Sequence, residues 1–146
     1  MALKLVLCFV MVCFFGCGKK EIERVPLHPV SGKVLVDGRA VANVEIKLRP
    51  VNYSPDKPEH RIGPFAKTDA KGDFKISTYG SQDGAPAGDY VILATWPKIQ
   101  IEGGEESFGP DQLGNAYTQP TQPAGKVTIK EGDNVIPPLK LRAAAQ

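Results

Sequence analysis

Residues 30–48, VSGKVLVDGRAVANVEIKL, decide the fold class because apolar residues recur there at every second position. The positions on one parity are Val30, Gly32, Val34 and Val36, followed by Val44, Ile46 and Leu48. Such alternation predicts strands with one buried face and one solvated face. The Asp-Gly pair at 37–38 is a strong signal for a tight turn. The stretch therefore predicts an all-β fold whose strands are linked by hairpins.

The rest of the chain continues the pattern. Residues 65–78 predict two strands around a turn, and residues 89–96, DYVILATW, are apolar on both parities, as in a central strand covered on both faces. Residues 126–130 alternate again, and Pro-Pro at 137–138 should break the last strand. With frequent Gly and Pro and no convincing helix, the sequence predicts a seven-stranded antiparallel β-sandwich.

A single set of inward-facing side chains should form the core of this sandwich. The predicted core residues are Val34, Val36, Val44, Ile46, Leu48, Phe74, Ile76, Tyr90, Ile92, Val127, Ile129 and Leu141. Residues 97–124 show little pattern and are predicted to be a long loop, of a length that is often functional or disordered. Its EGGEES segment should be mobile, while Leu113 and Tyr117 should pin its second half to the sheet.

The chain begins with a leader, MALKLVLCFVMVCFFGCGKK, that contains all three cysteines, at positions 8, 13 and 17. Its apolar run, residues 5–15, is too short for a membrane span of about 20 residues and fits a secretory signal. Residues 14–17, Phe-Phe-Gly-Cys, resemble a bacterial lipobox, with Phe14 where leucine is usual. That resemblance implies cleavage before Cys17 and a diacylglycerol on its sulfur, which would anchor the chain stably. The alternative is an ordinary signal peptide.

These features predict four segments. They are a lipoprotein signal peptide at 1–16, a lipidated cysteine and polar tether at 17–29, the β-sandwich at 30–142 and a short tail at 143–146. Part of the tether, residues 25–29, could instead pack on the edge of the domain. The mature chain has 146 − 16 = 130 residues and a side-chain charge of 17 − 16 = +1, which argues against a nucleic-acid surface. Without a second thiol, this domain has no disulfide.

Three motifs in order resemble the carboxypeptidase regulatory-like domain, a transthyretin-like sandwich. They are PVSGKVLVDGRAVANVEIKL, TDAKGDFKIST and APAGDYVI, and the likeness runs from about residue 29 to 142. The resemblance is strongest to small bacterial lipoproteins that carry this domain alone. It implies a sandwich exposed outside the cytoplasmic membrane, and it implies no reaction. Locally, Gly72 and Asp69 suit a tight turn, and Pro86, Gly88 and Tyr90 suit the entry to a strand.

Catalytic and metal-binding groups are sparse in the sequence. The two histidines, His28 and His60, lie in loop-like contexts, and no G-x-S-x-G motif is present. One transthyretin-like relative, hydroxyisourate hydrolase, has a Tyr-Arg-Gly-Ser tail, whereas this chain ends in LKLRAAAQ. Asp69 and Asp73 do not have the spacing of a calcium loop. We therefore expect no catalytic residue, no metal and no cofactor.

Aromatic residues around the 97–124 loop are the candidate contacts for a ligand or partner. Trp96 ends the most hydrophobic strand, and Tyr53, Phe108 and Tyr117 could join it in stacking on sugar rings or a protein. The competing interpretation is that Trp96 closes the end of the sandwich.

The sequence thus predicts a non-catalytic lipoprotein, anchored in the cell membrane or outer membrane and facing the periplasm or the exterior, with a structural or protein-interaction role in the envelope. The alternative is a surface module that binds a carbohydrate or another ligand near Trp96. The expected partners are the membrane, through the lipid, and an envelope protein or glycan.

Overall fold

The computed structural model describes residues 24–145, and it is all-β apart from one four-residue helix, α1 (Pro58–Arg61). The described strands form three sheets. Their bounds are β1 (Val30–Val36), β2 (Arg39–Ala40), β3 (Glu45–Pro50), β4 (Phe65–Lys67), β5 (Asp73–Lys75), β6 (Gly88–Thr95), β7 (Pro97–Glu102), β8 (Glu105–Asp111), β9 (Gly125–Ile129), β10 (Asn134–Val135) and β11 (Leu139–Leu141). No helix in the part of the chain that the structure describes is long and apolar enough to cross a bilayer.

Strand β1 is the centre of a five-stranded sheet. On one side it pairs antiparallel with β5 and β2, and on the other side it pairs parallel with β10 and then β11. The parallel pairing corrects the prediction of a purely antiparallel fold. Parallel neighbours need a long connection between them. Here β1 is the first described strand and β10 and β11 are the last, so the rest of the domain forms that connection. As predicted, the last strand is broken at Pro137 and Pro138, which cannot donate hydrogen bonds to β1.

The second sheet has four antiparallel strands in the order β4-β3-β6-β9. Strand β6 lies inside this sheet, between β3 and β9, as its unbroken apolar sequence predicts. Its inward residues Tyr90, Ile92 and Ala94 are buried, and outward Val91 is only 7% exposed. The two predicted strands of residues 65–78 separate here, because β4 pairs with β3 while β5 pairs with β1.

One apolar core joins these two sheets. Eleven of the twelve predicted core residues are buried, and the twelfth, Val127, is half-buried against the same cluster. Leu113 and Ile136 are fully buried although neither lies in a strand. Leu113 and Tyr117 therefore pin the second half of residues 97–124 to the core, as predicted. At about 1.5–3 kcal/mol for each large side chain, this burial is the main force that holds the sheets together.

Residues 97–124 are not one unpatterned loop, contrary to the prediction. Strands β7 and β8 form a hairpin that pairs with no other described strand. The predicted mobile segment is its turn, in which Gly103 and Gly104 have φ of 62° and 87°. Two consecutive positive φ values suit a two-residue hairpin turn, and glycine adopts them without steric cost. We call residues 97–111 the hairpin.

The turn before β5 explains the TDAKGDF motif. The Asp69 carboxylate accepts hydrogen bonds from the backbone N–H groups of Lys71, at 2.8 Å, and Asp73, at 3.0 Å. Gly72 has a φ of 72°, and a Cβ there would lie 2.4 Å from the Val34 carbonyl oxygen. The residues of the motif therefore form the turn and allow its close approach to β1.

The folded part begins before β1 and continues past β11. His28 and Ala85 exchange backbone hydrogen bonds of 2.9 and 3.0 Å, so the end of the tether packs on the domain edge. In the tail, the Ala144 N–H donates to the Gln112 carbonyl over 2.8 Å. The predicted signal peptide, its cleavage site and Cys17 lie outside the described residues.

Candidate functional site

A cleft of about 950 Å³ opens where the ends of β1 and β6 meet the base of the hairpin. It is lined by the end of β1 and the turn after it, the first half of β7, the end of β8 and the C-terminal alanines. Trp96 is the large aromatic side chain in this lining. The cleft is the candidate ligand site because it combines an aromatic residue with several polar side chains.

Trp96 is held in place by three contacts. Its backbone N–H donates to Asp111 Oδ1 over 2.7 Å, and its indole N–H donates to the Ala42 carbonyl over 3.1 Å. The ring is partly buried and packs against the core cluster. Trp96 therefore closes the end of the core with part of its surface and lines the cleft with the rest. Since the indole N–H is already bonded, only the ring surface remains for a ligand.

Asp111 organises the wall of the cleft, and the sequence interpretation did not find this role. Besides Trp96, its carboxylate accepts from the backbone N–H groups of Leu113, at 3.1 Å, and Asn115, at 2.9 Å. One side chain thus joins the end of β6, the end of the hairpin and the following turn. The sequence signal is an acid followed by a Gly-Asn turn, DQLGN, which favours capping of local backbone N–H groups.

Four polar side chains of the cleft make no hydrogen bond or ion pair to any residue in 24–145. They are Arg39, Lys98, Gln100 and Gln112. Arg39 and Lys98 are exposed, whereas Gln100 and Gln112 are half-buried. Guanidinium, ammonium and amide groups beside an aromatic ring offer hydrogen bonds to hydroxyl and carboxylate oxygens. This arrangement suits binding of a polar, oxygen-rich molecule.

The four aromatic candidates do not form one site. Tyr117 packs on the core, and its hydroxyl accepts from the Arg142 N–H over 3.1 Å. Phe108 lies on the hairpin, 64% exposed, with Lys67 Nζ 5.9 Å from its ring centre. Tyr53 follows β3 and lies between Arg49, at 4.9 Å, and the His60 ring, at 5.8 Å. Of the four, only Trp96 lines the cleft.

The histidines lie away from the cleft. The backbone of His28 pairs with Ala85, and His60 Nδ1 accepts from the Ser54 N–H over 2.9 Å. Within residues 24–145, no three His, Cys, Asp or Glu side chains form a group that could hold a metal ion.

Asp83, before the PAG motif, is the acid with a displaced pKa. Burial alone would raise its pKa. The backbone N–H groups of Thr78, Gly80 and Tyr79 donate hydrogen bonds to the carboxylate over 2.6–3.0 Å, and these bonds outweigh the effect of burial. The net result is a pKa below the ordinary 3.8. Asp83 lies at the end of the domain where the chain enters. Its carboxylate stabilises the turn that precedes Ala85, and Ala85 pairs with His28.

No protein-family model matches the chain, and no curated protein matches it significantly. Similar solved structures include a 9R-lipoxygenase from Cyanothece, at 14% identity and a TM-score of 0.42, over 84% of this chain and 17% of that one. A candidate carbohydrate-binding protein from Pseudomonas aeruginosa matches at 16% identity and a TM-score of 0.42, over 83% of this chain and 91% of that one. The major pilin subunit of Bacillus cereus matches at 16% identity and a TM-score of 0.45, over 81% of this chain and 30% of that one.

The chain therefore spans a small part of the lipoxygenase and of the pilin subunit. At these identities and TM-scores, the likenesses assign no function. The resemblance to the carboxypeptidase regulatory-like domain stays a prediction that rests on the three sequence motifs.

Proposed function

We propose that the protein is a lipid-anchored lipoprotein of the bacterial envelope, held by Cys17, whose domain is a non-catalytic, transthyretin-like β-sandwich that contacts other envelope components. The lipobox-like leader supports the anchor. Two sheets that share one core, together with the three motifs, support the sandwich. Asp69 in the second motif and Asp83 just before the third accept hydrogen bonds from backbone N–H groups of their own turns, which supports a role in folding rather than in chemistry.

The opposite placement of the chain entry and the cleft is the observation that carries this proposal. The chain enters beside the His28–Ala85 pair, and β1 starts two residues later at Val30. The same strand ends at Val36, which lines the cleft. A strand of seven residues spans about 20 Å. An anchor before the entry thus attaches the domain at the end of β1 opposite the cleft.

Metabolic labelling tests the anchor. Cells that express the full chain are given a fatty-acid analogue, and the wild type is compared with Cys17→Ala and with Cys13→Ala as the matched control. We expect label and membrane retention in the wild type and in Cys13→Ala, and neither in Cys17→Ala. If the wild type is unlabelled and released from membranes, the anchor is wrong.

The alternative function, a ligand-binding module, is favoured by the unbonded side chains around Trp96. We propose that a ligand of this kind would be a glycan, because its hydroxyl groups match Gln100, Gln112, Arg39 and Lys98 while a sugar face stacks on the exposed part of the indole ring.

A glycan array tests this alternative. The full chain in detergent is compared with the double variant Arg39→Ala/Gln112→Ala. The control is Lys130→Ala, an exposed residue whose backbone bonds to Asn134 beside the start of β1, at the other end of that strand from the cleft. Trp96→Ala is unsuitable because it would also open the core. Binding that the double variant loses and the control keeps supports the glycan site. Binding that all forms share, or no binding, contradicts it and leaves the anchored, structural role.

A further inference from the structure

The charged side chains of the cleft differ in whether they already have partners. Asp111 accepts three backbone N–H bonds, and Asp37 accepts one from the Ala143 N–H over 3.4 Å. Arg39 and Lys98 make no hydrogen bond or ion pair to any residue in 24–145. The four formal charges cancel, so the preference of the cleft depends on which groups are still free to pair with a ligand. Those groups are the two cations.

Strand alternation turns the polar side of β7 toward the cleft. Lys98 and Gln100 line the cleft, whereas Ile99 and Ile101 lie on the other side of the ribbon. On β8, a Cβ at Gly109 would lie 3.3 Å from the Lys98 carbonyl oxygen and 3.4 Å from Gln100 Nε2. The missing side chain therefore lets the amide lie against the ribbon. An ammonium group and an amide thus enter the cleft from the same wall.

Arg39 enters the cleft from a different element. It is the first residue of β2 and pairs with Val36 directly after a two-residue turn. Both turn residues have positive φ, 49° at Asp37 and 78° at Gly38, as in a tight hairpin turn. The guanidinium of arginine presents a planar fork of donors that fits the two oxygens of a carboxylate. Two elements therefore bring one free cation each to the same cleft.

We propose that the ligand of the cleft is an acidic glycan that contains uronic acid residues. This inference rests on the ligand-binding role proposed for the cleft, and it adds the class of sugar. In a uronic acid the carboxylate is bonded directly to the sugar ring, so one residue can stack on the exposed part of Trp96 and pair with Lys98 or Arg39. Gln100 and Gln112 donate hydrogen bonds to hydroxyl oxygens. A volume of about 950 Å³ is at the upper end for ligand sites, which leaves room for an oligosaccharide.

A neutral glycan of the same shape fits the cleft less well. It offers Arg39 and Lys98 only hydroxyl oxygens, and binding removes water from both cations. Hydrogen bonds between oppositely charged partners are roughly twice as strong as those between neutral groups. We therefore expect the cleft to prefer the acidic glycan by at least about ten-fold in Kd.

An array of matched oligosaccharides tests this inference on the full chain in detergent. It carries uronic acid oligosaccharides, each beside its carboxyl-reduced form, in which a CH₂OH group replaces the carboxylate. The wild type should bind at least one acidic oligosaccharide at least about ten-fold more tightly than its reduced form. Arg39→Gln/Lys98→Gln should lose this difference. The control Lys126→Gln/Lys130→Gln should keep it, because it removes the same charge from two exposed residues that do not line the cleft.

The outcomes separate this inference from the glycan-binding role. If the reduced forms bind as tightly as the acidic ones, or if both double variants lose the difference equally, the two cations do not recognise a carboxylate. The inference is then wrong, while a glycan-binding role remains. If no oligosaccharide of either form binds to a wild-type chain that is folded by circular dichroism, both the inference and the glycan-binding role are wrong.

Discussion

The body of the domain, formed by the two larger sheets, and the hairpin differ in where their apolar side chains go. In the body, alternate residues such as Ile46 and Ile92 are fully buried between the sheets. In the hairpin, Ile99, Ile101 and Phe108 alternate in the same way, yet all three are exposed. An alternating pattern therefore predicts a strand in both regions, but only the body has a second layer that covers its apolar face.

The apolar side chains of the body therefore contribute to stability, whereas those of the hairpin are available for contacts with other molecules. Burial in the body removes apolar surface from water and contributes directly to the free energy of unfolding. Exposed side chains in the hairpin add little to folding, and they remain available to a partner. Substitutions of the same residue type in the two regions should thus have unequal effects.

The largest effect is expected from a matched pair of isoleucines. Ile92→Ala, in the centre of the body, should lower the free energy of unfolding by about 2–5 kcal/mol because it leaves a cavity between the sheets. Ile101→Ala, in the hairpin, should change it by less than about 0.5 kcal/mol. Urea denaturation of both variants measures this. Equal losses would show that the hairpin is packed like the body.

A matched pair of glycines gives the next effect. Gly72→Ala, in the body, combines a φ of 72° with a Cβ placed 2.4 Å from the Val34 carbonyl oxygen, so β1 or the turn must shift. Gly103→Ala, in the hairpin turn, has a φ of 62° but meets no atom within 4 Å. At Gly103 we expect the free energy of unfolding to fall by about 1 kcal/mol, because alanine disfavours this backbone conformation. At Gly72 we expect a clearly larger decrease. Thermal unfolding of the two variants would show the order, and the reverse order would contradict the close approach.

The smallest effect concerns pH. Because the pKa of Asp83 is lower in the folded chain than its ordinary 3.8, the stability from its carboxylate is present above about pH 4 and is lost as the pH falls through the lower folded value. The stability difference between wild type and Asp83→Asn should therefore be larger at pH 7 than at pH 3. Asp133→Asn, an exposed acid on another turn, is the control. A difference that does not change with pH would show that the backbone N–H groups do not favour the ionised form.

The sequence predicts the body well because burial leaves a signature in its longer strands. The alternation in residues 30–48 locates β1 and β3, and unbroken apolar residues locate β6 inside its sheet. The parallel pairing of β1 with β10 and β11 could not be predicted from local pattern, since it joins residues about a hundred positions apart. Neither strand carries a residue type that favours a parallel over an antiparallel partner.

The hairpin and the cleft show where sequence interpretation failed and why. Lys98 to Glu102 alternates, and Gly-Gly follows, so the hairpin had a signal that the surrounding polar residues obscured. The prediction that Trp96 lies at the end of a strand is confirmed, since it directly follows β6. Other cleft residues, such as Arg39 and Gln112, are brought to it by the fold and have no motif of their own.

The point where the chain enters the body and the cleft lie at opposite ends of β1, and the proposed function depends most on the anchor. Its most direct test is the intact mass and N-terminal sequence of the mature protein extracted from membranes. We predict a chain that begins at Cys17 and carries a diacylglycerol on its sulfur. A mature chain without lipid, or one that begins at any other residue, would contradict the account.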